Sequence, residues 1–181
     1  IFYAKIRDIY TTAIDYDPND EESKLFFKTV QNKMHWAIHG HTASEIVYQR
    51  SDSEKQNMGL TTWKNALKGK IRKTDVSIAK NYLTEDELID LNLIVEQYLS
   101  FAELRARNRE PMYMSDWLKK LNDFMTLNEK EILEHAGRIS AKMAKELADA
   151  EYDKYRKKRI EAEDAKVIKE LEAGLAKLEK K

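Results

Sequence analysis

Apolar residues in this chain recur every three or four positions, and that helical period restricts what it can fold into more than any other feature. Phe2, Ile6, Ile9, Tyr10 and Ala13 form one stripe, which Asp15-Tyr16-Asp17-Pro18-Asn19 interrupts. From Asp20 a second stripe carries Leu25, Phe26, Val30, Met34, Ala37 and Ile38 up to Gly40, a residue suited to the left-handed stop of a helix. Two S/T-x-x-E spacings mark further starts. Thr42 with Glu45 opens a helix that runs to Arg50, and Thr84 with Glu87 opens one bearing Leu88, Leu91, Val95, Tyr98, Leu99 and Ala102, to about Asn108. Past the break at Pro111, Ser115 reads as the cap of a helix with Trp117, Leu118, Leu121 and Phe124. Asn128 with Glu131 reads as the start of another, bearing Ile132 and Leu133 and ending near Gly137. From Ser140 to Lys181 only Gly174 interrupts the pattern, at a cost of about 1 kcal/mol relative to Ala.

Two stretches lack the period. Residues 51 to 61, SDSEKQNMGLT, read as a long exposed loop of the kind that carries binding residues. Residues 61 to 75 read as a short helix and loop, or as a brief strand pair around Gly69, with Asp75 as the cap of DVSIAKNYL. With five Gly, two Pro and 35% charged residues, the chain fits an all-α fold. The expectation is a single helical bundle domain over residues 1 to 156, with a long protruding C-terminal helix whose residues 157 to 181 form a charged tail. Met143, Ala144, Leu147 and Ala148 give that helix an inner face, RKKRIEAEDAK offers little to bury, and Ile168, Leu171, Leu175 and Leu178 recover the spacing. Such a seam fits a homodimer, whereas the plain alternative is a solvated tail.

Lys plus Arg and Asp plus Glu number 32 each, so net charge alone does not concentrate nucleic acid or an anionic membrane at the surface. The absence of Cys excludes disulfides, thiolate zinc sites and cysteine nucleophiles. No apolar run approaches the roughly 18 residues of a membrane span, which points to the cytoplasm. The opening IFYAKIRDIY lacks an initiator Met and already carries the helical period, as expected of a piece of a longer protein.

Three of the four histidines fall in HWAIHGHTASEIVYQR, residues 35 to 50. His35 and His39 lie one turn apart, a spacing two metal ligands use, and His41 is the candidate third. The HExxH pattern fails, because Trp36 stands where the general-base Glu belongs. The competing reading is a helix corner, with Glu45 engaged in capping and His39 favoured at a helix C-terminus by about 0.3 to 1 kcal/mol. Metal site, polar pocket and helix corner stay open, with the corner preferred and no cofactor implied. Arg50 is either a surface residue or an anion contact, and His39 with Arg50 are the catalytic candidates if the chain is an enzyme.

Basic residues cluster at Lys64, Lys68, Lys70, Arg72, Lys73 and Lys80, with Trp63 and Tyr82 at the edges. Trp63, Lys64, Lys70 and Arg72, together with Arg50, are candidates for a nucleic-acid or anion surface, against the alternative of a solvated face. No Gly-rich phosphate loop, recognisable carboxylate pair or Ser nucleophile elbow is present.

FFKTVQNKMHWAIHGHTASEIVYQRSDS, MGLTTWKNALKGKI, DVSIAKNYLTEDE and MYMSDWLKKLN, taken in order, resemble the C-terminal region of the RhuM family of virulence-associated bacterial proteins over about residues 1 to 156. The resemblance implies a place in pathogenicity islands or mobile elements, and an upstream winged-helix-like DNA-binding domain through which DNA is met. The Fic signature HxFxxGN carried by domains fused to some relatives is missing. The expected function is therefore the effector or oligomerisation domain of a DNA-associated regulator. The alternative is a nuclease or nucleotide-acting hydrolase with its site at His35, His39, His41 and Arg50.

Overall fold

The computed structural model of the chain describes residues 8, 11–64, 66, 68–108 and 110–178. Among them are five α-helices and no strand: α1 (Glu21–His39), α2 (Ala43–Arg50), α3 (Glu85–Arg107), α4 (Met114–Leu127) and α5 (Ala141–Leu178). The all-α class and the long C-terminal helix are as expected. The stripe from Phe2 to Tyr10 lies outside the described residues.

The chain divides into two compact units, each built from two separate stretches: Ile1–Ile46 with Leu83–Ser140, and Val47–Tyr82 with Ala141–Lys181. In the first unit α1 packs on α3 and α4. Phe26, Val30 and Met34 from α1, Leu91, Val95 and Tyr98 from α3, and Trp117, Leu121 and Met125 from α4 are all buried. The Tyr98 hydroxyl donates to the Trp117 carbonyl at 3.0 Å, so the one polar atom of a buried ring is satisfied. Local signals set the helix ends. Asp20 caps α1 through the Glu22 amide, and Gly40 closes it in the left-handed conformation at φ 68°. The Thr84 hydroxyl and Glu87 carboxylate exchange backbone amides at the head of α3.

Several expectations are corrected here. Leu25, placed on the inner stripe of α1, is 62% exposed. α4 starts at Met114 because the Asp116 carboxylate accepts the Tyr113 amide at 3.0 Å, which leaves Ser115 inside the first turn rather than at the cap. The helix read from Asn128 to Gly137 does not form. Asn128 and Lys130 return their amides to the end of α4, and Glu129 takes the left-handed φ of 55°, which ends one helix without starting the next. Residues 128 to 140 are an irregular connection.

In the second unit α5 packs on a short 3₁₀ turn, Gln56–Gly59. The supposed exposed loop at 51 to 61 is compact. Ser51, Ser53, Met58 and Leu60 are buried, and Asn57, Met58 and Gly59 run through the left-handed region in succession. The Ser53 amide donates to Glu151 of α5 at 2.7 Å. Lys154, with the Ser53 hydroxyl and amide, pulls the Glu151 carboxyl down to about 2. Ala144 and Ala148 are buried, whereas Met143, expected beside them, is 47% exposed.

Residues 61 to 75 hold neither helix nor strand among the described positions; they are turns gathered around Asp75. Asp75 is buried and caps no α-helix. Its carboxylate accepts the amides of Arg72 at 2.9 Å and Lys64 at 3.4 Å, and its carbonyl accepts the Asn81 side chain at 2.9 Å. The segment after it reaches only the 3₁₀ turn Ala79–Tyr82.

Candidate functional site

The last turn of α1 brings the histidines together. His35 is 1% exposed and its Nδ1 lies 3.0 Å from Nε2 of His39, so one ring donates and the other accepts. His41 donates from Nδ1 to the His39 carbonyl at 2.7 Å, which turns that nitrogen away from metal ligation. Burial, helped by the neighbouring His39 and opposed by Glu87, holds the His35 imidazole neutral down to about 3. Among the described residues no group of three or more His, Asp or Glu is arranged to hold a metal.

Glu45, the nearest acid in sequence, is fully engaged. One oxygen accepts the Thr42 amide and the other the Arg138 amide, both at 2.7 Å, while the Glu45 amide donates to the Thr42 hydroxyl. Burial alone raises its carboxyl, and the amides of Arg138 and Thr42, with the Thr42 hydroxyl and His41, more than reverse this. The result is a buried carboxylate below its ordinary range that staples residue 138 to the head of α2. Gly137 is what admits the connection here: its φ is 85°, and a Cβ on it would meet the Thr42 methyl at 2.8 Å.

The remaining candidates lie in the second unit. Arg50 donates from its guanidinium to the Tyr82 carbonyl at 2.8 Å. The Trp63 indole donates to the Gly69 carbonyl at 2.7 Å, and the backbone amides of Lys64 and Arg72 are those held by Asp75. Lys70 pairs with Glu163 at 2.8 Å and Lys73 with Asp153 at 3.1 Å. The basic turn thus meets the acidic residues Glu163 and Asp153 of α5.

The first unit also contains a cleft of about 540 Å³ between α1, α4 and the 128–140 connection. Leu25, Lys28, Asn32 and Lys33 supply the α1 wall, Asn122 the α4 wall, and Ile132 to Ala136 the third. Lys33 donates to the Leu133 carbonyl at 2.7 Å, and burial pulls its ammonium below the ordinary lysine range, with Glu134 opposing. His135 stands edge-on to Trp36, centroids 5.0 Å apart, and its Nδ1 accepts the Gly137 amide at 3.1 Å. Lys33, Asn122 and His135 were not singled out in the sequence. Leu25, Ile132 and Leu133 of its apolar lining were read there only as helix stripes.

A family model described as the virulence protein RhuM family matches residues 1–163. No curated protein and no solved structure matches the chain. No helix among the described residues is long and apolar enough to cross a membrane.

Proposed function

The chain belongs to the virulence protein RhuM family, and on that premise we propose that it is the effector or oligomerisation part of a bacterial DNA-associated regulator of the virulence or mobile-element type. DNA is met through a winged-helix-like domain upstream, and the protein works in the cytoplasm. The observation that carries this reading is the pairing of Lys70 with Glu163 and of Lys73 with Asp153. A surface that grips phosphates needs cations without internal counterions, because affinity comes from replacing the counterions of the nucleic acid. Here two lysines of the basic turn already have acidic partners on α5, in a chain with no net charge.

Assembly is the second half of the proposal. Ile168 and Leu171 on α5 are 56% and 63% exposed, beside an exposed Val167, and a second copy of α5 is the simplest cover for such a face. The experiment is a salt-titrated DNA-binding assay on the 181-residue chain alone and joined to a winged-helix-like domain of the family. Both are also incubated with DNA, RNA and nucleotides in Mg²⁺ or Mn²⁺. Tight, salt-sensitive binding only by the joined chain, with no turnover, is expected. Turnover by the chain alone that His39→Ala with Arg50→Ala abolishes would overturn the reading in favour of an enzyme.

A further inference from the structure

The neutral chain is divided in charge. Of its 32 acidic residues, 19 fall in the stretches of the first unit, with 12 of its 32 basic ones; the second unit holds the remaining 13 acids and 20 bases. The first unit is therefore acidic and the second basic, so a partner drawn to the first by charge is a cation.

On the first unit the acids gather where apolar side chains are also exposed. α3 turns Leu91, Ile94, Val95, Tyr98 and Ala102 into the core. At about 3.6 residues per turn, Ile89, Leu93 and Leu104 fall on the other side of the helix, where they are 48%, 51% and 59% exposed. Glu85, Asp86, Asp90, Glu96 and Glu103 are exposed around them. No Lys or Arg occurs from Glu85 to Leu104, and the next residue, Arg105, is already paired with Glu110. Asp86 and Asp90, one turn apart, repel each other. Ser100 lies between Leu93 and Leu104, and its hydroxyl donates to the Glu96 carbonyl at 3.0 Å, so the middle of this face is small and its hydroxyl already satisfied. A helix that is apolar on its inner side and again on its outer side carries more apolar surface than its own unit covers, and exposed apolar residues rimmed by charge mark docking surfaces.

We infer that the outer face of α3 docks a cationic amphipathic helix of another protein. Ile89 and Leu93 are anchors one turn apart, and Leu104 follows about 16 Å further along the axis. Anchors in such a row fit the apolar stripe of a second helix laid alongside at a shallow angle. Lys or Arg residues flanking that stripe meet Asp86, Asp90, Glu96 and Glu103, which speeds encounter and selects against acidic partners. Nucleic acid and an anionic membrane are repelled by the same carboxylates. The inference stands whether or not the chain regulates DNA.

The test is a calorimetric and chemical-shift titration of the whole chain with three peptides of roughly 18 residues, about five helical turns. One is built of leucine and lysine with the leucines three and four positions apart, one has the same composition in scrambled order, and one carries glutamate in place of lysine. The amphipathic Leu/Lys peptide is expected to saturate, with methyl shifts at Ile89, Leu93 and Leu104, and to bind more weakly as salt rises. The scrambled peptide should bind at least tenfold more weakly, and the Leu/Glu peptide not at all. Leu93→Ser, and separately Asp90→Lys with Glu96→Lys, change exposed positions and keep the helix content by circular dichroism. Each should weaken binding at least tenfold. Glu131→Lys, which removes an exposed acid of the same unit outside α3, should leave binding within about twofold. Equal binding of the amphipathic and scrambled peptides, saturation without shifts on α3, or no saturation up to millimolar concentration overturns the inference. So does a self-association of the free chain that Leu93→Ser abolishes, since a second copy then covers the face.

Discussion

His35 and His39 face each other one turn apart on α1, Nδ1 to Nε2 at 3.0 Å, and the contact holds only while at least one of the rings is neutral. His35 is the ring that stays neutral, because it is buried and its neighbour disfavours a second charge. In the unfolded chain it protonates near its ordinary value of about 6.5.

Stability is therefore expected to fall on acidification. The folded value, about 3, lies below the unfolded one, so the unfolded state binds the extra proton. The contribution is fully present above about pH 6.5 and is lost between there and about 3, at up to about 1.4 kcal/mol per pH unit. Glu45, also lowered, adds to the loss below its ordinary range. Urea unfolding at pH 7.5, 5.5 and 4.5 checks this: His35→Gln should flatten the upper part of the slope, and an identical slope in the variant refutes it.

Glu45→Ala removes the acceptors of two amides, the buried one of Thr42, which no water replaces easily, and the part-buried one of Arg138. A loss of about 2 to 3 kcal/mol is expected, more than the roughly 1 kcal/mol of an ordinary cap. Amide exchange at Arg138 should accelerate in the same variant. Protection left unchanged there means that the connection is held by something else.

Gly59→Ala and Gly40→Ala separate two uses of glycine. Both positions have positive φ, 78° and 68°. At Gly40 nothing lies within 4 Å, so Ala should cost about 1 kcal/mol for the conformation alone. At Gly59 a Cβ would stand 2.3 Å from the Arg50 carbonyl oxygen, a backbone atom that cannot step aside, and the cost should be at least twice as large. Thermal melts that rank the two variants the other way would contradict this.

Asp153→Asn with Glu163→Gln removes the partners of Lys73 and Lys70. Exposed pairs contribute little, so stability should hardly change. Nonspecific DNA affinity at low salt should rise, with a steeper salt dependence. No change in DNA affinity would show that these carboxylates do not mask the basic turn.

Cutting the chain after Arg159 removes the exposed Val167, Ile168 and Leu171. Sedimentation is expected to shift from a dimer toward a monomer. A full-length chain that is monomeric at all concentrations would remove the assembly proposal.

What could be read from the sequence was what neighbours within one turn decide. Asp20, Gly40, Thr42 with Glu45, and Thr84 with Glu87 all act through side chains and amides two to four residues apart, and each is found where its spacing puts it. The compactness of residues 51 to 61 could not be read that way, because Ser53 finds its acceptor on Glu151, 98 positions on. Asp75 looked like a cap by its type and place, yet its carboxylate closes turns rather than a helix. The 128–137 segment has an apolar pair and an N-cap spacing, and both yield to the left-handed Glu129 and the bonds back to α4. The three histidines were legible as a cluster, but their tautomers and the burial of His35 follow from packing. The cleft could not be seen at all, since its walls come from segments roughly a hundred residues apart.

The interleaving of the two units sets an order of events on the ribosome. The chain passes from one unit to the other after Ile46, after Tyr82 and again after Ser140. Residues 47 to 82 are therefore synthesised long before the helix they pack on, and must wait through the emergence of 58 further residues, 83 to 140, while the first unit completes itself. A nascent chain in which Ser140 has just left the exit tunnel would present every residue of the first unit, with an insert still lacking its helix and exposed to any protease or chaperone that meets it.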